Sequence, residues 1–178
     1  MYRHYICSIY SKPVSIHVHM LNMSIETDIK QASFRTPYHR LVVNLMFTNN
    51  WLCDRQMQII KSFGLTLQQY NVLRILRGKH PEPAKVSDIT ERMLDKMSNA
   101  SRLVDKLVDK ELALRTECPS DRRAVDVVIT DKGLQLLRQI DPMLNEWENG
   151  LRTLSEEEAM LLSNLLDRMR GSDGQATQ

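Results

Sequence analysis

The sequence predicts a mainly α-helical protein that carries a small β-hairpin, an α+β class, and three observations lead to this prediction. Apolar residues recur at helical spacing through most of the chain after residue 36. Two short runs favour strands, Leu112–Cys118 and Ala124–Ile129, and the turn-forming segment Pro119–Arg122 joins them. Thr66 and Ser155 each begin a capping-box pattern ahead of an apolar helical stretch.

Composition narrows the class of protein. With 178 residues, the chain is long enough for one well-packed domain, or for a small domain with an oligomerisation element. The net charge of +2 does not by itself indicate a polyanionic partner. Three cysteines, Cys7, Cys53 and Cys118, form no CxxC motif, which suits a reducing cytoplasm and gives no metal signature. No apolar stretch is long enough for a membrane span, so a cytoplasmic protein without membrane contact is expected.

The two ends of the chain differ from its middle. Residues 1–22 hold three of the five tyrosines and three of the five histidines without helical spacing. This segment is either a disordered extension or translated upstream sequence with the natural start at Met23, and the second reading is favoured because regular patterning begins only afterwards. His17 and His19 have no further ligands nearby, so no metal site is expected. Residues 171–178 are polar and are expected to be a flexible tail.

The first long helix is predicted from about Pro37 to Phe63, and Gly64 ends it. Its apolar stripe runs for more than five turns, which is long for so small a domain. Such a helix often buries its stripe against a second subunit, so residues 23–64 are expected to form an N-terminal dimerisation region.

Residues 65–133 are expected to form one domain that begins with two helices and a turn. Thr66 caps the first helix, which turns inward the residues Leu67, Tyr70, Leu73 and Leu76. A short helix from Val86 to Met93 follows, with Val86, Ile89 and Met93 as its buried positions. Leu94–Met97 is then a turn, and Ser98 is expected to cap the next helix.

That next helix has the sharpest pattern in the chain. One face carries Ala100, Leu103, Val104, Leu107 and Val108. The opposite face carries Asn99, Arg102, Lys106, Asp109 and Lys110. The hairpin follows this helix. That order of elements is typical of a winged helix-turn-helix, a module that places a helix in the DNA major groove and in which the hairpin is called the wing.

Two further helices are predicted after the hairpin. Thr130 caps a long helix through Trp147, with a kink near Pro142. Ser155 begins a final helix that turns inward Ala159, Leu162, Leu165, Leu166 and Met169. Residues 134–170 are expected to add C-terminal dimerisation helices. Six methionines are interpreted as core filler, namely Met46, Met57, Met93, Met97, Met143 and Met160.

Small polar residues at the exposed start of the sharply patterned helix suit contacts with base edges. The candidates are Ser98, Asn99, Ser101 and Arg102, with Arg102 suited to guanine and Asn99 to adenine. Lys96 and Lys106 are candidates for flanking phosphates. The hairpin tip carries Arg122 and Arg123, and such arginines can enter a narrow minor groove.

A simpler interpretation stands beside this one. Ser98 caps a helix whatever the function. Taken alone, Arg102 or Lys106 is better explained as an ordinary solvated charge than as a DNA contact. Residues 85–123 hold nine Lys and Arg against eight Asp and Glu, so local charge does not favour DNA. The alternative function is a winged-helix protein-interaction module without specific DNA binding. No catalytic motif is present, so neither an enzyme nor a cofactor is expected.

From Leu65 to Gly133 the chain resembles the MarR family of bacterial transcription regulators. The residues that carry the resemblance are Leu65-Thr66, Val86–Ile89, Ser98–Leu107, and above all Asp121-x-Arg123 followed by Ile129-Thr130-x-x-Gly133. The resemblance implies that Ser98–Arg102 begin the recognition helix and that Arg123 is the wing arginine. It also implies that Asp121 stabilises the wing by pairing with an arginine. Many relatives have glycine where this chain has Glu111, so either Glu111 holds a positive φ at a cost of about 1 kcal/mol or the turn differs slightly.

The resemblance further implies a homodimer that reads a pseudo-palindromic operator in double-stranded DNA. It implies a repressor that a small aromatic ligand or an oxidant releases. Cys53 is interpreted as a packing thiol, because redox-sensing relatives usually place their cysteine nearer the start of the first long helix.

Overall fold

The computed structural model describes residues 24–118 and 121–171, with the backbone but not the side chains of residues 117, 118 and 121–124. The expectations for residues 1–22 and for the tail beyond residue 171 therefore lie outside the described residues. The elements are α1 Ile25–Asp28, α2 Pro37–Ser62, α3 Leu67–Arg77, β1 Ala84–Lys85, α4 Val86–Arg92, α5 Ala100–Asp109, β2 Ala113–Cys118, β3 Asp121–Ile129, α6 Asp131–Asn149 and α7 Glu156–Met169. The predicted class, mainly helical with a small sheet, is confirmed.

The described residues divide into two compact units, one that ends at Asn49 and one that begins at Asn50. In the first unit, α1 is a single helical turn that the sequence pattern did not predict, and Ser24 caps it. An ion pair joins Arg40 Nε to Glu26 Oε1 at 2.6 Å. The hydrogen bond from Arg40 lowers the pKa of Glu26 to about 2. The rings of Phe34 and His39 pack edge to face, with their centroids 5.6 Å apart.

The core of the second unit lies among α3, α4, α5, the sheet and α6. Its fully buried side chains include Leu73, Leu76, Ile89, Met93, Val104, Leu107, Val127, Leu137 and Ile140. The capping box of α3 forms as predicted, with Gln69 N donating to Thr66 Oγ1 at 3.2 Å. The predicted caps Thr130 and Ser155 also accept hydrogen bonds at the starts of α6 and α7.

The sheet has three strands in the order β1-β3-β2, all antiparallel, rather than the two strands of the predicted hairpin. Strand β1 was missed because it is only two residues long, Ala84 opposite Val127 and Lys85 opposite Asp126. Strand β3 begins at Asp121, so Asp121 and Arg122, which were predicted in the turn, belong to the strand. The β2–β3 register shifts between Glu117 and Cys118.

The corner between α5 and β2 contains Glu111, for which the sequence left either a positive φ or a different turn open. Glu111 has φ 61°, and the backbone N–H groups of Glu111 and Leu112 donate to the carbonyls of Val108 and Leu107 at 2.8 and 2.9 Å. This pair of bonds ends α5 in the way that glycine usually allows. The expected departure from the glycine-containing pattern is confirmed as a strained backbone position rather than a different turn.

Replacing Glu111 by glycine and by alanine isolates that backbone strain. Both changes remove the ion pair between Glu111 and Lys132, whose nearest atoms are 2.6 Å apart. Only alanine keeps a Cβ at positive φ, so Glu111→Gly is expected to be more stable than Glu111→Ala by about 1 kcal/mol. Urea denaturation of the two variants measures the difference. Equal free energies of unfolding would show that the corner carries no such strain.

The last two helices differ in burial. Helix α6 buries Leu137, Ile140 and Leu144 and continues past Pro142. An ion pair at 2.6 Å between Arg77 of α3 and Asp141 joins the two helices. Helix α7 buries no residue, so the prediction that its apolar residues turn inward is wrong for the single chain. Its apolar face, with Leu162, Leu165 and Met169, is exposed because no other element of the described chain covers it.

The interpretation of the methionines as core filler is also wrong for most of them. Of the six, only Met93 belongs to the core, while Met46, Met57, Met97, Met143 and Met160 are exposed. Apolar character did not identify burial here, because burial depends on which helix faces find a partner. Cys53, interpreted as a packing thiol, is half-buried in α2.

Candidate nucleic-acid interface

Helix α5 is held by its apolar face and leaves its polar face exposed. Ala100, Val104 and Leu107 are buried in the core, as the sequence pattern predicted. Arg102 and Lys106 are exposed on the opposite side. The core therefore supports the helix from one side only, and its polar side is available to a partner.

The turn between α4 and α5 is held by side chains at both ends. Asn71 Oδ1, from α3, accepts the backbone N–H of Leu94 at 3.0 Å. Asp95 accepts the backbone N–H of Met97 at 3.0 Å and the hydroxyl of Ser98 at 2.8 Å. These two bonds lower the pKa of Asp95, because they stabilise its charged form. The turn thus has a defined conformation that positions the start of α5.

The cap of α5 is Asn99 and not Ser98, which corrects the sequence prediction. Asn99 Oδ1 accepts the backbone N–H of Arg102 at 3.1 Å. Ser98 lies one residue earlier, and its hydroxyl donates to Asp95 instead. Serine and asparagine are both good cap residues. Asn99 is the cap because the hydroxyl of Ser98 is already bonded to Asp95.

A shallow depression of about 340 Å³ lies beside the start of α5. It is lined by Gln68, Ser98, Asn99, Arg102, Leu103 and Lys106. Four of these were predicted site residues, and the structure brings them together. Gln68, at the start of α3, was missed by sequence reasoning, because its place beside α5 depends on how the two helices pack. Ser101, also predicted, is half-buried on α5.

The predicted phosphate-binding lysines have partners within the protein. Lys106 Nζ lies 3.6 Å from Asp109 Oδ2, and both side chains are well exposed. The ammonium group of Lys96 donates to the backbone carbonyl of Glu91 at the end of α4. An exposed ion pair is worth little in water, so phosphate can compete for Lys106.

The wing is tied to α5 by an ion pair that sequence reasoning did not predict. Arg115, on β2, bonds through its guanidinium to the carboxylate of Asp105 on α5. Nothing in the spacing of these two residues signalled the pair, since it depends on how β2 turns back over the helix. The side chains of Asp121, Arg122 and Arg123 lie outside the described residues, and their backbone belongs to β3.

Chemically, the arrangement offers guanidinium, amide, hydroxyl and ammonium groups on one exposed helix end beside a hairpin. These are the donors that proteins use on base edges and phosphates. Among the residues that the structure describes, no group of His, Cys, Asp and Glu is arranged to hold a metal ion. Within the same residues, no helix is long and apolar enough to cross a membrane.

Comparison with known proteins identifies the same region. The model of the MarR family matches residues 65–125, which run from the start of α3 into the wing. The HTH-type transcriptional regulator MhqR of Bacillus subtilis is 33% identical over 117 residues, covering 65% of this chain and 79% of that protein. The HTH-type transcriptional repressor MdtR of the same organism is 39% identical over 77 residues, covering 43% of this chain and 48% of that protein.

Solved structures show the same fold. A MarR transcription factor from Planctomyces limnophilus is 34% identical, with a TM-score of 0.57 over 76% of this chain and 98% of that one. The MepR protein of S. aureus, solved as a complex with DNA, is 23% identical, with a TM-score of 0.66 over 79% of this chain and 98% of that one.

Proposed function

Since the chain belongs to the MarR family of DNA-binding transcriptional regulators, we propose that it acts as a homodimer that binds a pseudo-palindromic operator in double-stranded DNA. In the cytoplasm it represses transcription until a small aromatic ligand or an oxidant releases it. The observation that carries this proposal is the exposed start of α5, where Asn99, Arg102 and Lys106 line one depression. The MepR protein, which shares the fold, was solved bound to DNA.

The homodimer is supported by the two helices that the single chain leaves uncovered. Helix α7 buries no residue and α2 buries only Ile60. Their exposed apolar side chains are Tyr38, Leu41, Val42, Met46, Phe47, Trp51 and Met57 on α2, and Met160, Leu161, Leu162, Leu165 and Met169 on α7. A soluble monomer rarely exposes so much apolar surface. A two-fold interface would cover these faces and place the two α5 helices about 34 Å apart, one turn of DNA.

The residues of α5 divide into two roles. Arg102 reads a guanine, because a guanidinium can donate to O6 and N7 together. Asn99 contributes its amide N–H₂ group to a base, since its oxygen already accepts a bond as the helix cap. Lys106, Lys96 and Gln68 contact phosphates, and Arg122 and Arg123 place the wing in the minor groove. Asp121 stabilises the wing through an arginine.

Release follows from a difference in ligand affinity between two dimer shapes. A ligand that binds better to the shape with wrongly spaced α5 helices lowers the fraction of protein able to bind DNA. Titration with salicylate as a phenolic probe, and separately with hydrogen peroxide, tests this regulation on the purified complex.

Binding to DNA from directly upstream of the chain's own gene, across a salt series, tests the function. A random duplex is the control, and sedimentation of the complex measures the number of chains per duplex. We expect two chains per site and an affinity for the upstream DNA that exceeds the control and falls steeply with salt. Equal, weak binding to both duplexes would contradict the proposal and favour the protein-interaction module instead.

Arg123→Ala is expected to weaken binding to the specific duplex without changing folding stability. The lost guanidinium removes one contact with the minor groove or backbone in each half-site, so the salt dependence should become shallower by about one ion per half-site. The thermal midpoint should stay near that of the wild type, because the residue lies near the tip of the hairpin. An unchanged affinity would remove Arg123 from the interface.

A further inference from the structure

Two apolar side chains in the turn between α4 and α5 are exposed more than any other large hydrophobic side chain that the structure describes. Met97 is 93% exposed and Leu94 is 87% exposed. They lie on neither α2 nor α7, so a dimer built on those helices does not account for them. Their position is the turn that leads directly into the start of α5.

The turn presents these side chains on a fixed backbone. The amide of Asn71 holds Leu94, and the carboxylate of Asp95 holds both Met97 and Ser98. Met97 is also adjacent to Ser98, which lines the depression at the start of α5. Because the backbone of the turn is already ordered, a contact made by Met97 costs only the ordering of its own side chain.

We propose that Met97 is a specificity-determining residue that contacts the C5-methyl group of a thymine in the major groove. This inference rests on the proposed DNA-binding function and extends its readout beyond polar contacts. Thymine is the one base that presents a methyl group in the major groove, and apolar side chains are suited to it. The long, unbranched side chain of Met97, in the turn directly before α5, reaches such a methyl group. It carries no hydrogen-bond donor that would need a partner.

The test uses deoxyuridine, which differs from thymidine only by the absence of that methyl group. A duplex is first selected by the wild-type protein from a library with a randomised centre, and each thymine is then replaced in turn. For the wild type, one thymine per half-site should lose about fourfold in affinity on replacement, the effect of one buried methyl group. For Met97→Ala the same replacement should have no effect, while Met97→Leu should keep the preference for thymine.

Leu94→Ala is the matched control, since it removes a similar apolar group from the same turn and should keep the wild-type preference. If uracil weakens wild type and Met97→Ala equally, Met97 does not contact the methyl group. If Leu94→Ala removes the effect and Met97→Ala does not, the assignment to Met97 is wrong. A selected duplex without any sensitive thymine overturns this inference alone, whereas failure to select a duplex overturns the DNA-binding function as well.

Discussion

Arg102→Ala is expected to lower the affinity for the specific duplex by about thirtyfold or more. A bidentate contact between arginine and guanine contributes about 1–3 kcal/mol, and a dimer loses it in both half-sites. The side chain is exposed on the first turn of α5. Its removal therefore leaves no buried charge unpaired, and stability should be nearly unchanged. Gel-shift titration of the specific duplex measures the loss.

Arg102→Lys separates base reading from charge. Lysine keeps the positive charge but lacks the planar pair of donors, so it should lose base preference at one position per half-site and keep the salt dependence. Lys106→Ala should do the opposite, lowering the salt dependence while the base preferences stay the same. If Arg102→Lys binds with wild-type preferences, Arg102 contributes charge alone and does not read a base.

Gly133→Ala is expected to lower the free energy of unfolding by about 1–2 kcal/mol. A Cβ at Gly133 would lie 2.4 Å from the carbonyl oxygen of Leu112 and 2.7 Å from Cγ1 of Ile129. That carbonyl cannot easily move, because it accepts the backbone N–H of Thr130 at 3.1 Å. Overpacking of this kind costs about 1–3 kcal/mol and occasionally more, which outweighs the gain of about 1 kcal/mol from replacing glycine in a helix. Urea denaturation measures the difference.

Gly78→Ala is the matched control for this effect. The nearest atoms to a Cβ at Gly78 are at ordinary contact distances, 3.5 Å or more. Its φ is −67°, which any residue adopts. This variant should therefore be as stable as the wild type or slightly more stable. If Gly133→Ala and Gly78→Ala are equally stable, the backbone between Leu112 and Gly133 relaxes freely. The close approach of Leu112 would then not be the reason for glycine at position 133.

Features set by near neighbours in the chain were predictable. The capping boxes at Thr66 and Ser155 formed as expected, because each needs only partners within three residues. The inward face of α5 was predicted because the spacing of its apolar residues shows which side of the helix is apolar. The positive φ of Glu111 was one of two alternatives that the sequence left open, because many relatives have glycine at this place after the helix.

The predictions that failed concern which partner a residue finds. Ser98 and Asn99 are equally good caps by type, and Asp95 decided between them by accepting the hydroxyl of Ser98. Strand β1 exists because β3 offers a second edge to two residues that have no strand pattern of their own. Gln68 lines the depression beside α5 because α3 crosses near it, which the spacing of the sequence does not reveal.

By itself, the sequence determined the order of helices α2 to α7 and the hairpin, the caps of α3, α6 and α7, and the inward faces of α3, α5 and α6, because these depend on residues a few positions apart. Only the tertiary structure decided the pairing of Asp105 with Arg115, the close approach of Leu112 to Gly133, and the exposure of Met97. Each of these depends on where distant segments meet. A side chain becomes buried or paired only when another element packs against it. Amphipathic spacing does not indicate which element that will be.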